Sequence, residues 1–211
     1  EWDFKRPIVE SILRNALGLI ENKIYARKCF VSEISQRDYS NFLELNHIQG
    51  SIVSKYRYGL FYQNELVSVI GFGLSRFKKV EMELHRFCSK INYTIIGGFS
   101  KLIAYFMNQN ICSEFITYVD RSKFDGKGYF KIGFKILSET DSSYFYAREG
   151  EILSRYQCQK HKLAKLLENY DPSLTETDNM ILNGYTKVYD CGTLKLIYKN
   201  KIKKINISDF L

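Results

Sequence analysis

Residues 119–134 read V-D-R-S-K-F-D-G-K-G-Y-F-K-I-G-F, and this stretch indicates the fold more clearly than any other. The run F-I-T-Y-V at 115–119 leads into it and predicts a strand buried on both faces, because it is apolar nearly throughout. Gly133 lets the chain reverse tightly, and Phe134 is expected to seal the core behind that turn. We therefore expect a strand, a short helix that ends near Gly133, and a second strand from Phe134.

The segments on either side of this stretch alternate between helical and extended patterns. Helices are predicted at 7–17, 36–45 and 99–106. Further strands are predicted at 24–34, 56–62, 66–73, 80–87, 134–137 and 143–146. Gln63 and Asn64 are expected to form the turn of a β-hairpin. This order predicts a protein of the α/β (α+β) class.

The C-terminal part of the sequence has a more basic character. Residues 154–168 predict a helix with Tyr156, Leu163 and Leu167 on its apolar face and cationic side chains on the opposite face. A second helix is predicted after Thr175, which can cap it together with Asp178, and Gly184 ends it. Residues 186–199 predict a terminal hairpin that a lysine-rich tail follows. We therefore expect a small basic helical extension at the C-terminal end.

Charge and cysteine content narrow the class of protein. Lysine and arginine outnumber aspartate and glutamate by 31 to 23, and the net charge of +8 suits a protein that meets a polyanion. The five cysteines never form a C-x-x-C pair, which predicts neither a disulfide framework nor a zinc ribbon and favours the cytoplasm. No apolar run is long enough to span a membrane, and no secretory leader opens the sequence. Because the chain starts at Glu1-Trp2-Asp3 without a methionine, we expect a fragment.

The central part of the sequence resembles the GNAT family of N-acetyltransferases. In that family a strand is followed by a short helix that ends in L-Y-x-K-x-G-F, and residues 128–134 read G-Y-F-K-I-G-F. The resemblance covers residues 36–146. It implies a GNAT-like mixed, mostly antiparallel sheet flanked by helices.

The same family binds its cofactor at a Q/R-x-x-G-x-G/A motif, whose backbone N–H groups meet the pyrophosphate at the start of a helix. The nearest match is I-I-G-G-F-S at 95–100, where Ile95 stands in the place of the amide or cationic residue. The resemblance implies that Gly97, Gly98 and Ser100 bind acetyl-CoA or another acyl-CoA.

This resemblance implies an acyltransferase as the alternative function. The chain would then modify a nucleic acid or protein amine, similar to phage Mom-type enzymes that share the fold. Tyr129 would be the general acid that protonates the departing thiolate of coenzyme A. Asp120 or Ser122 would help to position the substrate.

A second resemblance extends over almost the whole chain and leads to the main hypothesis. The segments F-L-E-L-N-H-I-Q-G at 42–50, Y-V-D-R-S at 118–122 and N-G-Y-T-K-V-Y-D-C-G at 183–192 are similar to the C-terminal region of phage-borne homing endonucleases. In such proteins a nuclease domain related to very-short-patch-repair enzymes precedes this region, and residues 1–18 look like its trailing edge. The resemblance implies the DNA-targeting domain of a mobile-element endonuclease, in the cytoplasm of a phage-infected bacterium. It implies that this chain has no catalytic residues and no cofactor of its own.

The main hypothesis divides the chain into three parts: an N-terminal helix and strand (1–35), a GNAT-like domain (36–150) and a basic extension (151–211). The expected partners are double-stranded DNA and, in the full-length protein, an N-terminal nuclease domain. Phosphate contacts would dominate the affinity for DNA. We expect these contacts to come from Arg76, Lys78, Lys79, Arg121, Lys123, Lys127, Arg155, Lys160, Lys162 and Lys165.

Three polar residues, Glu81, Glu83 and His85, alternate along the strand predicted at 80–87. A metal site needs ligands that converge from several elements, whereas alternating polar residues on one strand usually form a solvated face. We therefore expect no metal site and a row of exposed side chains here.

Overall fold

The computed structural model describes residues 1–75, 78, 80–109 and 111–200. The chain forms two compact units. The first comprises Glu1–Thr117, Ile132–Phe134 and the chain from Ile197, and the second comprises Tyr118–Lys131 and Lys135–Leu196. The division into 1–35, 36–150 and 151–211 stays a prediction.

The helices and strands of the first unit largely follow the predicted pattern. Its helices are α1 (Arg6–Ala16), α2 (Gln36–Asn46) and α3 (Gly98–Asn108). Its strands are β1 (Lys23–Tyr25), β2 (Phe30–Glu33), β3 (Tyr56–Tyr62), β4 (Glu65–Leu74), β5 (Met82–Ser89), β6 (Thr94–Ile96) and β7 (Glu114–Asp120), the last of which runs on into the second unit. The single strand predicted at 24–34 is in fact two short strands, because a 3-10 turn at Ala26–Lys28 interrupts it.

The main sheet of the first unit has the strand order β2-β3-β4-β5-β7. Its first four strands pair antiparallel, whereas β5 and β7 are parallel and pair at Glu83 and Ile116. Gln63 and Asn64 join β3 to β4 with φ values of 49° and 64°, as a two-residue hairpin turn requires. The predicted hairpin is therefore confirmed. The strands β1 and β6 form a separate parallel pair.

Helices α2 and α3 pack on opposite faces of this sheet. Val69 of β4 lies in a core cluster with Tyr39 and Leu43 of α2. Phe72, three residues further along β4, stacks on Phe106 of α3 with 3.7 Å between the ring centroids. Because successive strand residues point to opposite faces, this odd offset places the two helices on different sides. The predicted class, a mixed and mostly antiparallel sheet flanked by helices, is confirmed.

The turn at Gly133 has the geometry that its sequence predicts. Gly133 has a φ of 105°, a conformation that favours glycine. Phe134 is 4% exposed and packs against Phe115 and Tyr198, with centroid distances of 5.6 and 5.1 Å. The prediction that Phe134 seals the core is confirmed, although the next strand begins one residue later, at Lys135.

The second unit consists of shorter elements. Its helices are α4 (Lys127–Lys131), α5 (Lys160–Leu166) and α6 (Glu176–Leu182). Its strands are β8 (Lys135–Glu139), β9 (Tyr144–Arg148), β10 (Glu151–Ser154), β11 (Thr186–Tyr189) and β12 (Thr193–Lys199), the last of which ends in the first unit. An antiparallel sheet of order β10-β9-β11 packs on a core that includes Tyr146, Leu163 and Met180. In the described ranges, no helix combines the length and the apolar character that crossing a membrane requires.

Two predictions for the second unit are wrong. Residues 186–199 do not form a hairpin, because β11 pairs with β9 and β12 belongs to a different sheet. The helix predicted at 154–168 is shorter, because the Gln157 side chain accepts hydrogen bonds from the backbone N–H and the hydroxyl of Ser154 and fixes a turn there. Tyr156 consequently precedes α5 and is 71% exposed instead of lying on an apolar face.

Substitution of Phe106 tests the aromatic layer between α3 and the sheet. The Phe106 ring is fully buried and also lies 5.8 Å from the ring of Phe115. We expect Phe106→Ala to lower the free energy of unfolding by about 3–5 kcal/mol, because the ring returns to water and leaves a cavity. Leu45→Ala is the control, since that side chain is 70% exposed, and it should change the same quantity by less than about 0.5 kcal/mol. Urea denaturation measures both values, and equal losses would contradict the packing described.

Candidate functional site

An open cavity with a volume of about 480 Å³ lies at the N-terminus of α3. Its walls come from two segments that are far apart in the sequence. One segment contributes Tyr25, Ala26 and Arg27, and the other contributes Ile96, Gly97, Ser100 and Lys101. The parallel pairing of β1 with β6, in which Tyr25 lies opposite Ile96, brings the two segments together.

The first turn of α3 presents backbone N–H groups that no side chain caps. The N-cap residue, Gly97, has a φ of 77° and therefore a left-handed conformation, which glycine adopts without strain. The N–H of Lys101 donates to the carbonyl oxygen of Gly97 at 3.0 Å, so the N–H groups before it have no partner within the helix. The partial positive charge of a helix N-terminus adds to their attraction for an anion.

Gly98 determines how closely α3 approaches β6. A Cβ atom at residue 98 would lie 2.8 Å from Cγ2 of Ile95, which is closer than real contacts allow. Ile95 is paired with Ile24 of β1 and cannot retreat without losing that pairing. Ile95 therefore packs against the start of the helix. Of the three predicted cofactor residues, Gly97 and Ser100 line the cavity and Gly98 permits the close approach behind it.

Sequence reasoning missed Arg27, which lies on the opposite wall of the cavity. Its guanidinium carbon is 5.1 Å from the centroid of the Tyr25 ring, and the side chain is exposed. Backbone N–H groups, the Ser100 hydroxyl and a guanidinium are the donor types that bind phosphate oxygens. The donor set of the cavity thus fits a pyrophosphate. No local motif marks Arg27, because only the long-range pairing of β1 with β6 brings it here.

A β-bulge bends β5 next to its pairing with β7. Gly71 pairs with Arg86 and Phe72 pairs with Leu84, so His85 is an extra residue in β5. Glu83 stands beside this bulge, opposite Ile116 of β7. Bulges occur preferentially next to active sites, where they redirect side chains.

The expected solvated face at Glu81, Glu83 and His85 is wrong for Glu83. The Glu83 side chain is 6% exposed, and its Oε2 atom makes no hydrogen bond within the part of the chain that the structure describes. A buried carboxylate oxygen without a partner is costly, so it needs a reason such as a catalytic role or a bound water. Among the described residues, no group of three or more histidine, cysteine, aspartate or glutamate side chains could hold a metal ion.

Other polar groups surround Glu83 on the α2 face of the sheet. Glu83 pairs with Gly73, and a Cβ atom at Gly73 would lie 2.5 Å from Cε1 of His85, so the imidazole ring fills the space that this glycine leaves. His85 Nδ1 lies 3.0 Å from the hydroxyl of Ser54, which donates to the hydroxyl of Tyr39 at 3.4 Å. Burial raises the pKa of Tyr39 to about 12 and keeps its hydroxyl protonated. The imidazole of His85 therefore lies over the glycine that pairs with Glu83, and it belongs to a hydrogen-bonded group of side chains.

Three predicted catalytic residues lie in the second unit. Tyr129 is on α4, and burial raises its pKa to about 12, so its hydroxyl is protonated at neutral pH. Asp120 ends β7, where its carboxylate accepts a hydrogen bond from the backbone N–H of Ser122 at 2.9 Å and pairs with Lys123. The Ser122 hydroxyl accepts from the N–H of Cys191 at 3.1 Å. Asp120 and Ser122 therefore stabilise loops, and the catalytic roles of all three residues stay predictions.

Those predicted DNA-contacting cations that the structure describes lie in loops and short helices. Four of them pair with carboxylates: Lys78 with Glu81, Arg121 with Glu139, Lys123 with Asp120, and Lys127 with Asp125. Two lie over tyrosine rings: Arg155 over Tyr144 and Lys162 over Tyr156. Lys160 and Lys165 are exposed on α5, whereas Arg76 and Lys79 lie outside the described residues. Binding of duplex DNA stays a prediction.

The chain is similar in structure to acetyltransferases. It matches the ribosomal-protein-S18-alanine N-acetyltransferase from Escherichia coli at 10% identity, covering 84% of this chain and 97% of that enzyme, with a TM-score of 0.50. It also matches an IAA acetyltransferase from Bacillus cereus at 13% identity (82% and 99% covered, TM-score 0.48). A GNAT family acetyltransferase from Elizabethkingia anophelis, solved with acetyl-CoA bound, matches at 13% identity (82% and 99% covered, TM-score 0.44). No protein-family model matches the sequence, and a search of curated proteins finds no match.

The fold is GNAT-like, as predicted, and the likeness to the Escherichia coli enzyme overturns the main functional hypothesis. The chain covers 97% of that acetyltransferase, so the prediction of a DNA-targeting region from a phage homing endonuclease is wrong. The expectation that the chain belongs to a phage mobile element rested on the same resemblance and is also wrong. The segment at 118–122 was part of that resemblance. In the structure it ends β7 and forms the turn that follows, which is a structural role. The expectation of no cofactor came from the same endonuclease resemblance and is overturned together with it.

The contact between Gly98 and Ile95 gives a stability prediction. We expect Gly98→Ala to lower the free energy of unfolding by about 1–3 kcal/mol, because the added methyl group forces α3 away from β6. Gly128→Ala is the matched control, since a Cβ atom there meets nothing within 4 Å, and it should be neutral or slightly stabilising. Urea denaturation distinguishes the two variants. An unchanged stability in Gly98→Ala would show that this helix start tolerates a side chain.

Proposed function

We propose that this protein binds an acyl-CoA and transfers the acyl group to an amine. The observation that carries the proposal is the cavity at the N-terminus of α3, with the left-handed Gly97, the uncapped first turn and the Ser100 hydroxyl. Such a helix start binds phosphate groups through its backbone N–H donors. The fold shared with the Escherichia coli enzyme agrees with this function without establishing the substrate.

The backbone N–H groups around Gly98 and Ser100 would hold the pyrophosphate of the coenzyme. When bound, the coenzyme supplies a thioester, whose carbonyl carbon is open to attack by an amine. Phe99, in the first turn of α3, stacks on Phe87 of β5 with 4.3 Å between the ring centroids. This contact fixes the phosphate-binding helix start to the strand that carries the buried carboxylate.

Glu83 is the residue that we assign to proton removal from the amine. An amine is protonated at neutral pH and must lose a proton to become a nucleophile. Glu83 lies four residues from Phe87 along β5, and with the bulge at His85 between them the separation is roughly 10–13 Å at the usual rise of a strand. An extended coenzyme arm spans such a distance between its phosphates and its thioester. The Oε2 atom of Glu83 has no hydrogen-bond partner among the described residues, and it would accept the proton from the bound amine.

Acetyl-CoA should stabilise the folded protein. At a free concentration a hundred times the Kd, a ligand that binds only the folded state adds about 2.7 kcal/mol to the free energy of unfolding. Isothermal titration calorimetry gives the Kd, and urea denaturation with and without acetyl-CoA gives the shift. The absence of both heat and stabilisation would refute coenzyme binding.

A pair of glycine variants locates the site. Gly97 and Gly18 have φ values of 77° and 72°, and a Cβ atom added to either would meet no other atom within 3.4 Å, so alanine strains both backbones alike. We expect Gly97→Ala and Gly18→Ala each to cost on the order of 1 kcal/mol of stability. Gly97→Ala alone should weaken acetyl-CoA binding in calorimetry, because only its strain distorts the helix start. Equal affinities in the two variants would place the coenzyme elsewhere.

Glu83→Gln tests the proton acceptor. We expect it to lower the rate of acyl transfer about 100- to 10,000-fold while acetyl-CoA binding is retained, because glutamine cannot take up the proton. The assay follows release of the coenzyme thiol from acetyl-CoA in the presence of an alkylamine, a polyamine and a peptide with a free N-terminus. Glu81→Gln is the control, a neighbouring carboxylate that pairs with Lys78 at 3.8 Å, and it should transfer at the wild-type rate. A fully active Glu83→Gln protein would exclude this role.

A further inference from the structure

The proposed coenzyme site lacks a cation where related motifs carry one. Ile95 occupies that place, and its side chain packs against Gly98, with Cγ2 2.8 Å and Cβ 3.3 Å from where a Cβ of residue 98 would be. Its backbone is paired with Ile24 of β1. Because Ile95 is apolar, β6 supplies no positive charge at this motif position.

We propose that Arg27 supplies the missing cation and binds a phosphate group of the coenzyme, and that Lys101 positions Arg27 for this role. The proposal rests on the proposed function, since it concerns the same cavity. It assigns phosphate recognition to a turn that lies far from the helix motif in the sequence. The acyl donor would then be a molecule that carries both the acyl group and phosphate groups, as an acyl-CoA does.

The register of β1 and β6 places Arg27 beside the start of α3. Tyr25 pairs with Ile96 in a parallel arrangement, so the chain continues past both residues in the same direction. Arg27 is two residues beyond Tyr25, as Gly98 is two residues beyond Ile96, and Arg27 lines the cavity. The guanidinium and the helix N-terminus thus attract an anion to the same place.

The charge of Arg27 is available to a ligand. Within the described ranges, the ion pairs join other cations to carboxylates and none involves Arg27. Its guanidinium lies over the ring of Tyr25, which restricts the side chain without neutralising it. An arginine of this kind has planar donors that match a phosphate group.

Lys101 holds the turn that carries Arg27. Its ammonium group donates hydrogen bonds to the carbonyl oxygens of Ala26, at 3.0 Å, and of Cys29. These two carbonyl groups lie on either side of Arg27 in the chain. Because Lys101 belongs to α3, its two bonds tie the turn to the helix whose N-terminus faces the cavity. Lys101 is therefore a positioning residue.

Calorimetric titration with coenzyme A and with 3′-dephospho-coenzyme A tests the role of Arg27. We expect Arg27→Ala to weaken coenzyme A binding about 10- to 100-fold, the usual effect of losing a hydrogen bond to a charged group. Lys28→Ala, which removes the adjacent exposed cation, is the control and should bind as the wild type does. A loss with both ligands assigns Arg27 to the pyrophosphate, and a loss with coenzyme A alone assigns it to the 3′-phosphate. Unchanged affinity for both ligands overturns the proposal.

Lys101→Met and the double variant, which combines it with Arg27→Ala, test whether Lys101 acts by positioning Arg27. If Lys101 acts through Arg27, Lys101→Met should weaken coenzyme A binding as Arg27→Ala does, and the double variant should be no weaker than Arg27→Ala alone. Additive losses would overturn the positioning role, because a general structural or electrostatic effect of Lys101 adds to the loss of Arg27. Urea denaturation confirms that each variant is folded, and Arg27→Ala remains a test should Lys101→Met fail to fold. A wild-type protein that binds neither coenzyme refutes the proposed function itself.

Discussion

The close approach of α3 to β6 is the constraint on which the candidate site depends. Gly98 leaves no room for a side chain against Ile95, and Gly97 turns the chain into the helix through a left-handed conformation. Together they leave the first turn of α3 uncapped and open to the cavity. At the same time, the pairing of Ile95 with Ile24 brings the 3-10 turn at Ala26–Lys28 alongside the helix. The two contacts of Ile95 thus position both the uncapped helix start and the wall opposite it.

The sequence revealed those parts of the fold whose signals are local. The hairpin at Gln63-Asn64 and the turn at Gly133 follow from residues that accept positive φ, and α3 follows from its apolar face. Gly97 and Ser100 could be placed at a helix start because the motif is contiguous. Arg27 could not be found in this way, because it reaches the cavity only through strand pairing with a segment some seventy residues away.

The burial of Glu83 also escaped prediction from the sequence. Alternation along a strand normally puts Glu81, Glu83 and His85 on one solvated face. In the structure β5 has a bulge at His85, the imidazole fills the space over Gly73, and Glu83 is buried. Such a bulge is defined by the pairing of two strands, so the sequence of one strand alone does not reveal it. The prediction of a terminal hairpin is wrong for a related reason, since β11 pairs with β9 and β12 belongs to another sheet.

The net charge alone does not locate a binding site. A charge of +8 suggested a polyanionic partner, yet four of the cations expected to contact DNA pair with neighbouring carboxylates. Charges of this kind are solvated and partly neutralised, and they say little about a binding site. The informative groups are fewer: a guanidinium without a carboxylate partner in the described chain, and a buried carboxylate oxygen without a donor.

The central claim is that the coenzyme phosphates bind at the N-terminus of α3, and amide chemical shifts in a 15N-labelled protein test it most directly. On titration with acetyl-CoA, the account predicts that the largest shifts occur at Gly97, Gly98, Ser100 and Arg27, because their N–H groups and the facing turn surround the phosphates. Unchanged shifts at these four residues, with acetyl-CoA bound and other amides perturbed, would contradict it.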